Sequence, residues 1–251
     1  MIYVITFLFG LLFGSFLNVC IYRIPRQESI VFPPSHCPAC GVQIKPWDNI
    51  PVLSFVFLGG KCRSCHAKIS WRYPLVELLT ASLFLAFVYS YSFVPLTFVY
   101  LVFVSALIVI SFIDLDHRII PDKISLPGVA VGVAASYVLP IAWYESIIGA
   151  LVGGGVIMAT GYGGSLIFKK EAMGGGDVKL MAMIGAFLGW KMALLTIFFA
   201  SLVGAIVGIV VKISTGKEYL PFGPFLSLGA LFALSFGQQL LFWYWNLVSP
   251  P

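Results

Sequence analysis

The sequence predicts an all-α polytopic membrane protein with about eight transmembrane helices and one small cytoplasmic zinc-binding module. Three observations lead there. Hydrophobic residues make up 60% of the 251 positions and charged residues 10%, with a mean hydropathy of +1.00; a soluble domain would carry roughly 25% charged residues. The apolar residues fall in blocks of about 20, the length at which a helix crosses the hydrocarbon core. The charged residues gather between the blocks, and two cysteine pairs stand in the longest such interval.

Taken in order, the blocks are 2–22, 73–91, 95–113, 124–141, 144–168, 178–190, 192–212 and 221–245. The first lacks a basic n-region and a small-residue cleavage site, so it reads as a retained helix rather than a signal peptide. The fourth and sixth are short and interrupted by small residues, and two neighbouring blocks could instead form one re-entrant pair. No heptad, 20–50-residue repeat or low-complexity tail is visible. The expected division is a first transmembrane helix at 1–22, the module at 23–72, and a membrane-embedded core at 73–251.

Lysine and arginine collect on the cytoplasmic side of membrane proteins. Eight spans place loops 23–72, 114–123, 169–177 and 213–220 on one side; these loops, with Lys179 and Lys212 at the span ends facing them, hold 14 of the 15 basic residues and leave Lys191 opposite. The expectation is a multi-pass membrane protein with both termini outside and the long loop in the cytoplasm. This bias accounts for the net charge of +5 and calls for no nucleic-acid partner, only the lipid bilayer.

The long loop holds Cys37-Pro-Ala-Cys40 and Cys62-Arg-Ser-Cys65. Each CxxC knuckle turns tightly enough for two thiolates to reach one ion, and two knuckles near this spacing make a tetrahedral four-cysteine zinc site. Gly41 suits the left-handed backbone that often follows a knuckle. Disulfides or a redox CxxC are the alternative, disfavoured in a reducing compartment. Cys20 lies in the first span and reads as packing. His36 and His66 flank the cysteines, but four thiolates already complete a site without an open position, so the zinc is structural.

Among the acids, Glu77 stands one turn into the second span, either paired with Arg72 near the interface or part of a buried polar site. The others of interest cluster in SFIDLDHRIIPD, with Asp114, Asp116 and Asp122, and in MGGGDVK, with Asp177. Both clusters are expected at the cytoplasmic ends of spans. Two carboxylates at a partly desolvated site share a proton. One then takes a proton from water while the other polarises a scissile carbonyl. The helix dipole favours Asp177 as the anion, which leaves Asp114 as the proton donor, and the preceding glycines leave room for a substrate backbone. Two alternatives stand beside this. Asp177 could be a helix cap among ordinary interfacial acids, or Asp114 and Asp177 could form the ion or proton relay of a transporter. Spacing leaves open whether Asp114 or Asp116 faces Asp177, since the two point to different sides of a helix.

The motifs GSFLNVCIYRIP (14–25), CPAC…CRSC, SWRYPLVELLT (70–80), FIDLDHRIIPD (112–122), GGGDVKLM (174–181) and PFGPFL (221–226) follow one another along nearly the whole chain. In this order they resemble the bacterial type IV prepilin peptidases, leader peptidases and N-methyltransferases among the GxGD membrane aspartic proteases. The resemblance implies Asp114 and Asp177 as the catalytic pair, with Gly174, Gly176 and Lys179 as supporting residues. It implies Cys37, Cys40, Cys62 and Cys65 as the metal ligands. It also implies prepilin or pseudopilin substrates cut after a short basic leader, for which Asp116, Asp122 and Glu171 are the candidate leader contacts. Methylation of the new α-amine by S-adenosylmethionine is implied by the resemblance alone and is associated with the N-terminal portion; no glycine-rich dinucleotide-type fingerprint is present.

Overall fold

A computed structural model describes residues 1–168, 173–216 and 220–248. Apolar blocks of this length satisfy their backbone polar groups internally only as helix, and the chain obliges. The helices are α1 (Ile2–Arg23), α2 (Leu53–Phe57), α3 (Arg72–Tyr91), α4 (Pro95–His117), α5 (Asp122–Ala135), α6 (Trp143–Phe168), α7 (Gly175–Thr215) and α8 (Gly223–Val248). Among the described residues there is no β-strand, only the isolated bridges His36–Gln43 and Lys61–Lys68. Among the described residues, six helices are long and apolar enough to cross a membrane. The chain divides into two units, residues 1–109 and 110–251.

In the first unit, α1 and α3 run antiparallel in a regular register. The Asn18 amide donates to the Tyr73 carbonyl at 3.0 Å. One turn on, a Cβ added to Gly14 would stand 2.7 Å from Glu77 Cα, and one more turn on, a Cβ at Gly10 would stand 2.6 Å from Ala81 Cα. Small residues therefore set the approach of the two backbones, as is usual where lipid removes any hydrophobic force between helices. Phe9 and Phe13 close the seam against Phe84, with ring centroids at 6.2 and 5.5 Å.

The cysteine module contains a repeat that the sequence does not reveal. In Ser35–Ile44 the hydrogen bonds are Cys37 N–H to Val42 O, Gly41 N–H to Cys37 O, and Ile44 N–H to Ser35 O. In Gly60–Ile69 they are Cys62 to Ala67, His66 to Cys62, and Ile69 to Gly60. The position after each second cysteine is left-handed, with φ 70° at Gly41 and 56° at His66. SHCPACGVQI and GKCRSCHAKI share only the two cysteines and the final isoleucine, too little for a repeat to show in side chains. Asp48 ties the segment between the knuckles to the second one: Arg63 Nε and an Arg63 terminal nitrogen donate to its two oxygens at 2.8 and 2.6 Å. Those bonds and the guanidinium charge hold the Asp48 carboxyl below its ordinary range.

In the second unit, α5 runs parallel to the first part of α7, with Gly128 against Met183 and Gly132 against Ala186 and Phe187. Helix α6 runs antiparallel to it, Gly149 pressed on the Gly185 backbone and Gly153 on Met181; Ser146 Oγ donates to Ala186 O at 2.6 Å. Helix α7 has 41 residues but is interrupted at Gly189, where φ is 77° and ψ 168°. Beyond the break it packs antiparallel on α8, Thr196 against Gly229 and Gly204 against Phe222 and Phe225.

Both arms of α7 reach the surroundings of Asp114: Asp177, in the first, feels its charge, and Gly204, in the second, packs on Phe222 and Phe225, the neighbours of Gly223, which is bonded to Asp114. A straight helix of 41 residues would be about 60 Å long, so the chain doubles back at Gly189. With α2 of the cysteine module set aside and the two arms counted separately, the described residues contain the eight expected helical segments. The fourth is shorter than expected, because α5 ends at Ala135 and residues 136–142 form turns.

Candidate active site and metal centre

Asp114 occupies the last turn of α4 and is 5% exposed. The helix stops there because Arg118 adopts φ 57°, its N–H donating to the Asp114 carbonyl at 2.9 Å. The Arg118 charge also acts on the Asp114 carboxylate. Asp114 Oδ2 accepts the N–H of Gly223, the first residue of α8, at 2.9 Å. Asp116, two residues on, is exposed. The burial of one aspartate and exposure of the other follows from the helical period.

After Arg118 the chain passes Ile120 and Pro121 and enters α5. Ile120 fixes one glycine of the GGGD stretch: a Cβ on Gly176 would stand 2.9 Å from Ile120 Cβ. The need for glycine at 176 is thus met by protein packing rather than by a substrate backbone. Gly175 has open space around it. Gly174 is extended and caps α7, and Asp177 three residues on accepts the Gly174 N–H at 3.2 Å. Asp177 is therefore a cap, and at the same time lies close enough to Asp114 for that charge to act on it. The two functions are compatible, since a carboxylate offers about four lone-pair sites.

Lys179 Nζ donates to both oxygens of Asp122 at 2.7 and 2.8 Å, joining the start of α5 to the first turn of α7. Glu171 lies outside the described residues. Gly223, Arg118 and Ile120 are members of the site that the sequence reading does not single out. Gly223 lies within the quoted PFGPFL motif, but its contact with Asp114 crosses more than a hundred residues and leaves no local pattern.

The four cysteine sulfurs all lie within 4.8 Å of one another, and Cys37 Sγ is 3.9 Å from Cys65 Sγ. Tetrahedral bonds of about 2.3 Å place thiolates about 3.8 Å apart, so the donor set fits one soft or borderline metal ion and fills its coordination. His66 serves the backbone turn of its knuckle, and the His36 ring stands 3.2 Å from the Pro34 carbonyl. For S-adenosylmethionine, the described residues contain no strand and so no strand–loop–helix cradle; a site for it would have to be built from helices and loops.

Known proteins share much of this sequence. Residues 8–91 match the model for the bacterial peptidase A24 N-terminal domain, and residues 101–209 match the type IV leader peptidase family. A prepilin leader peptidase/N-methyltransferase of Myxococcus xanthus is 45% identical over 219 residues, covering 85% of this chain and 64% of that protein. Proteins of the same name from Pseudomonas aeruginosa and Bacillus subtilis are each 38% identical, covering 94% and 96% of this chain and 90% and 96% of their own lengths. No solved structure matches the chain. The transporter reading finds no support among these relatives. With both halves of the sequence matched, the chain belongs to the type IV leader peptidase family.

Proposed function

We propose that the chain is an aspartic endopeptidase that removes the short basic leader of prepilin-like proteins at the cytoplasmic face of the bacterial inner membrane, and then methylates the new N-terminus. Asp114 and Asp177 are its catalytic pair. The observation that carries this is their convergence: two carboxylates 63 positions apart in sequence share one end of a helical unit, where the Asp114 charge acts on Asp177. One carboxylate draws a proton from water and the other gives a proton to the scissile carbonyl, the titration belonging to the pair. Gly174 and Gly176 shape the turn that presents Asp177, and the Lys179–Asp122 ion pair steadies it.

In this reading the termini lie outside, residues 23–72 form the zinc module, and the helices from 73 onward carry the protease core. Zinc on Cys37, Cys40, Cys62 and Cys65 is structural, since four thiolates leave no position for water. Asp116, Asp122 and Glu171 are the candidate leader contacts, and Asp122 also holds Lys179. S-adenosylmethionine, when bound, supplies the methyl group, as the names of the relatives suggest.

The test is leader removal from a pilin-like substrate by Asp114→Asn, Asp177→Asn and Asp116→Asn in detergent. The first two variants lose cleavage and the third retains it. Cleavage by either of the first two, or its loss in the third alone, overturns the assignment.

A further inference from the structure

The first unit contains a buried polar cluster that the cleavage chemistry leaves unused. Glu77, in the second turn of α3, is 6% exposed. Its Oε2 accepts the Val52 N–H at 2.8 Å, and Ser15 of α1 bonds the same carboxylate. One turn along the seam, Asn18 is 1% exposed. Its amide nitrogen is committed to the Tyr73 carbonyl, which fixes the amide's orientation, because the flipped form would set two oxygens against each other. The Asn18 Oδ1 is buried and has no protein partner. Native structures rarely leave such an acceptor unmade.

The chemistry of this cluster is specific. A carboxylate and an amide oxygen offer acceptors, so their complement is a cation bearing several N–H hydrogens. A primary ammonium fits, with three donors in a compact head. The register of α1 and α3 sets Asn18 and Glu77 on adjacent turns of the seam, near the ends of two membrane helices. An ammonium at the tip of an apolar peptide helix arrives at that depth. We infer that Glu77 and Asn18 seat the α-ammonium of a helical membrane peptide, the N-terminus exposed by leader removal. This rests on the leader-peptidase and methylation reading above. The seat holds the amine; the bond of Glu77 to Val52 fixes the cysteine module beside it.

The test uses the full-length, metal-loaded protein in nanodiscs and a fluorescent synthetic peptide beginning at the cut of a pilin-like substrate. The peptide is supplied with a free N-terminus and as its N-acetylated twin. Wild type binds the free amine about ten- to a hundredfold more tightly, the range for a hydrogen bond to a charged group. Glu77→Gln keeps an acceptor for Val52 and the bound metal but loses that preference; Asn18→Ala weakens it. Equal affinity of wild type for the two peptides, or an undiminished preference in Glu77→Gln, overturns the seat. Mass-spectrometric counting of methylated peptide, with methyl donor added, separately tests the underlying reading. If wild type never methylates, that reading falls, while the amine seat stands or falls on the binding data.

Discussion

Gly223 donates its backbone N–H to Asp114 Oδ2 at 2.9 Å, and a Cβ at position 223 would stand 2.7 Å from that same oxygen. The residue therefore holds the carboxylate and, by lacking a side chain, makes room for it. Gly223→Ala displaces Asp114 without touching its chemistry. A misplacement of about 1 Å at a reacting group can cost about 100-fold in rate. Leader cleavage should fall by about that factor while helix content by circular dichroism and metal content stay at wild-type levels.

The Asp122–Lys179 ion pair links the two motif segments but is open to solvent, with side chains 55% and 39% exposed. Such pairs contribute about 0.2–1 kcal/mol and weaken with salt. Asp122→Asn and Lys179→Met should each lower thermal stability slightly. A double-mutant cycle should return a coupling within that range, shrinking as sodium chloride is raised.

Gly189 adopts a backbone conformation that is essentially restricted to glycine, with φ 77° and ψ 168°. An added Cβ would meet Ile141 only at an ordinary 3.7 Å, so the penalty for a side chain is conformational rather than steric. Gly189→Ala should destabilise the protein by about 1–3 kcal/mol, read as a lowered midpoint of thermal unfolding in detergent.

Chelation should act on the cysteine module and spare the membrane helices. In the proposed reading the module's order rests on the paired knuckles and the zinc they hold, because segments of this size rarely fold on a core alone. Limited proteolysis after treatment with a strong zinc chelator should cut between residues 24 and 71. Far-UV helicity should change little, and added zinc should restore resistance.

The helical segments are legible in the sequence because hydropathy and charge act over whole blocks. The gap between 178–190 and 192–212 marks a true division, although the backbone breaks at one residue. The end of α5 is less visible, since residues 136–142 remain apolar while turning. The α1–α3 register depends on Gly10 and Gly14 meeting α3 at four-residue intervals, a relation between distant positions that one sequence does not display. The choice of Asp114 over Asp116 is likewise hidden: helical periodicity separates the two but does not say which faces inward. At Gly176 the sequence suggests clearance for substrate, whereas Ile120 occupies the space beside it.

The break in α7 has a consequence for solvent. Gly175 to Leu188 amounts to 14 residues before Gly189, and the neighbouring α5 also has 14. Each is about 21 Å long, against a hydrocarbon thickness of about 30 Å. Two stunted helices lying side by side cannot match the lipid around them, so the bilayer thins or water fills the shortfall. Asp122 begins one of these helices and Asp177 lies in the first turn of the other. In the proposed reading, that mismatch brings the aqueous boundary inward at the place where the hydrolysis needs its water molecule.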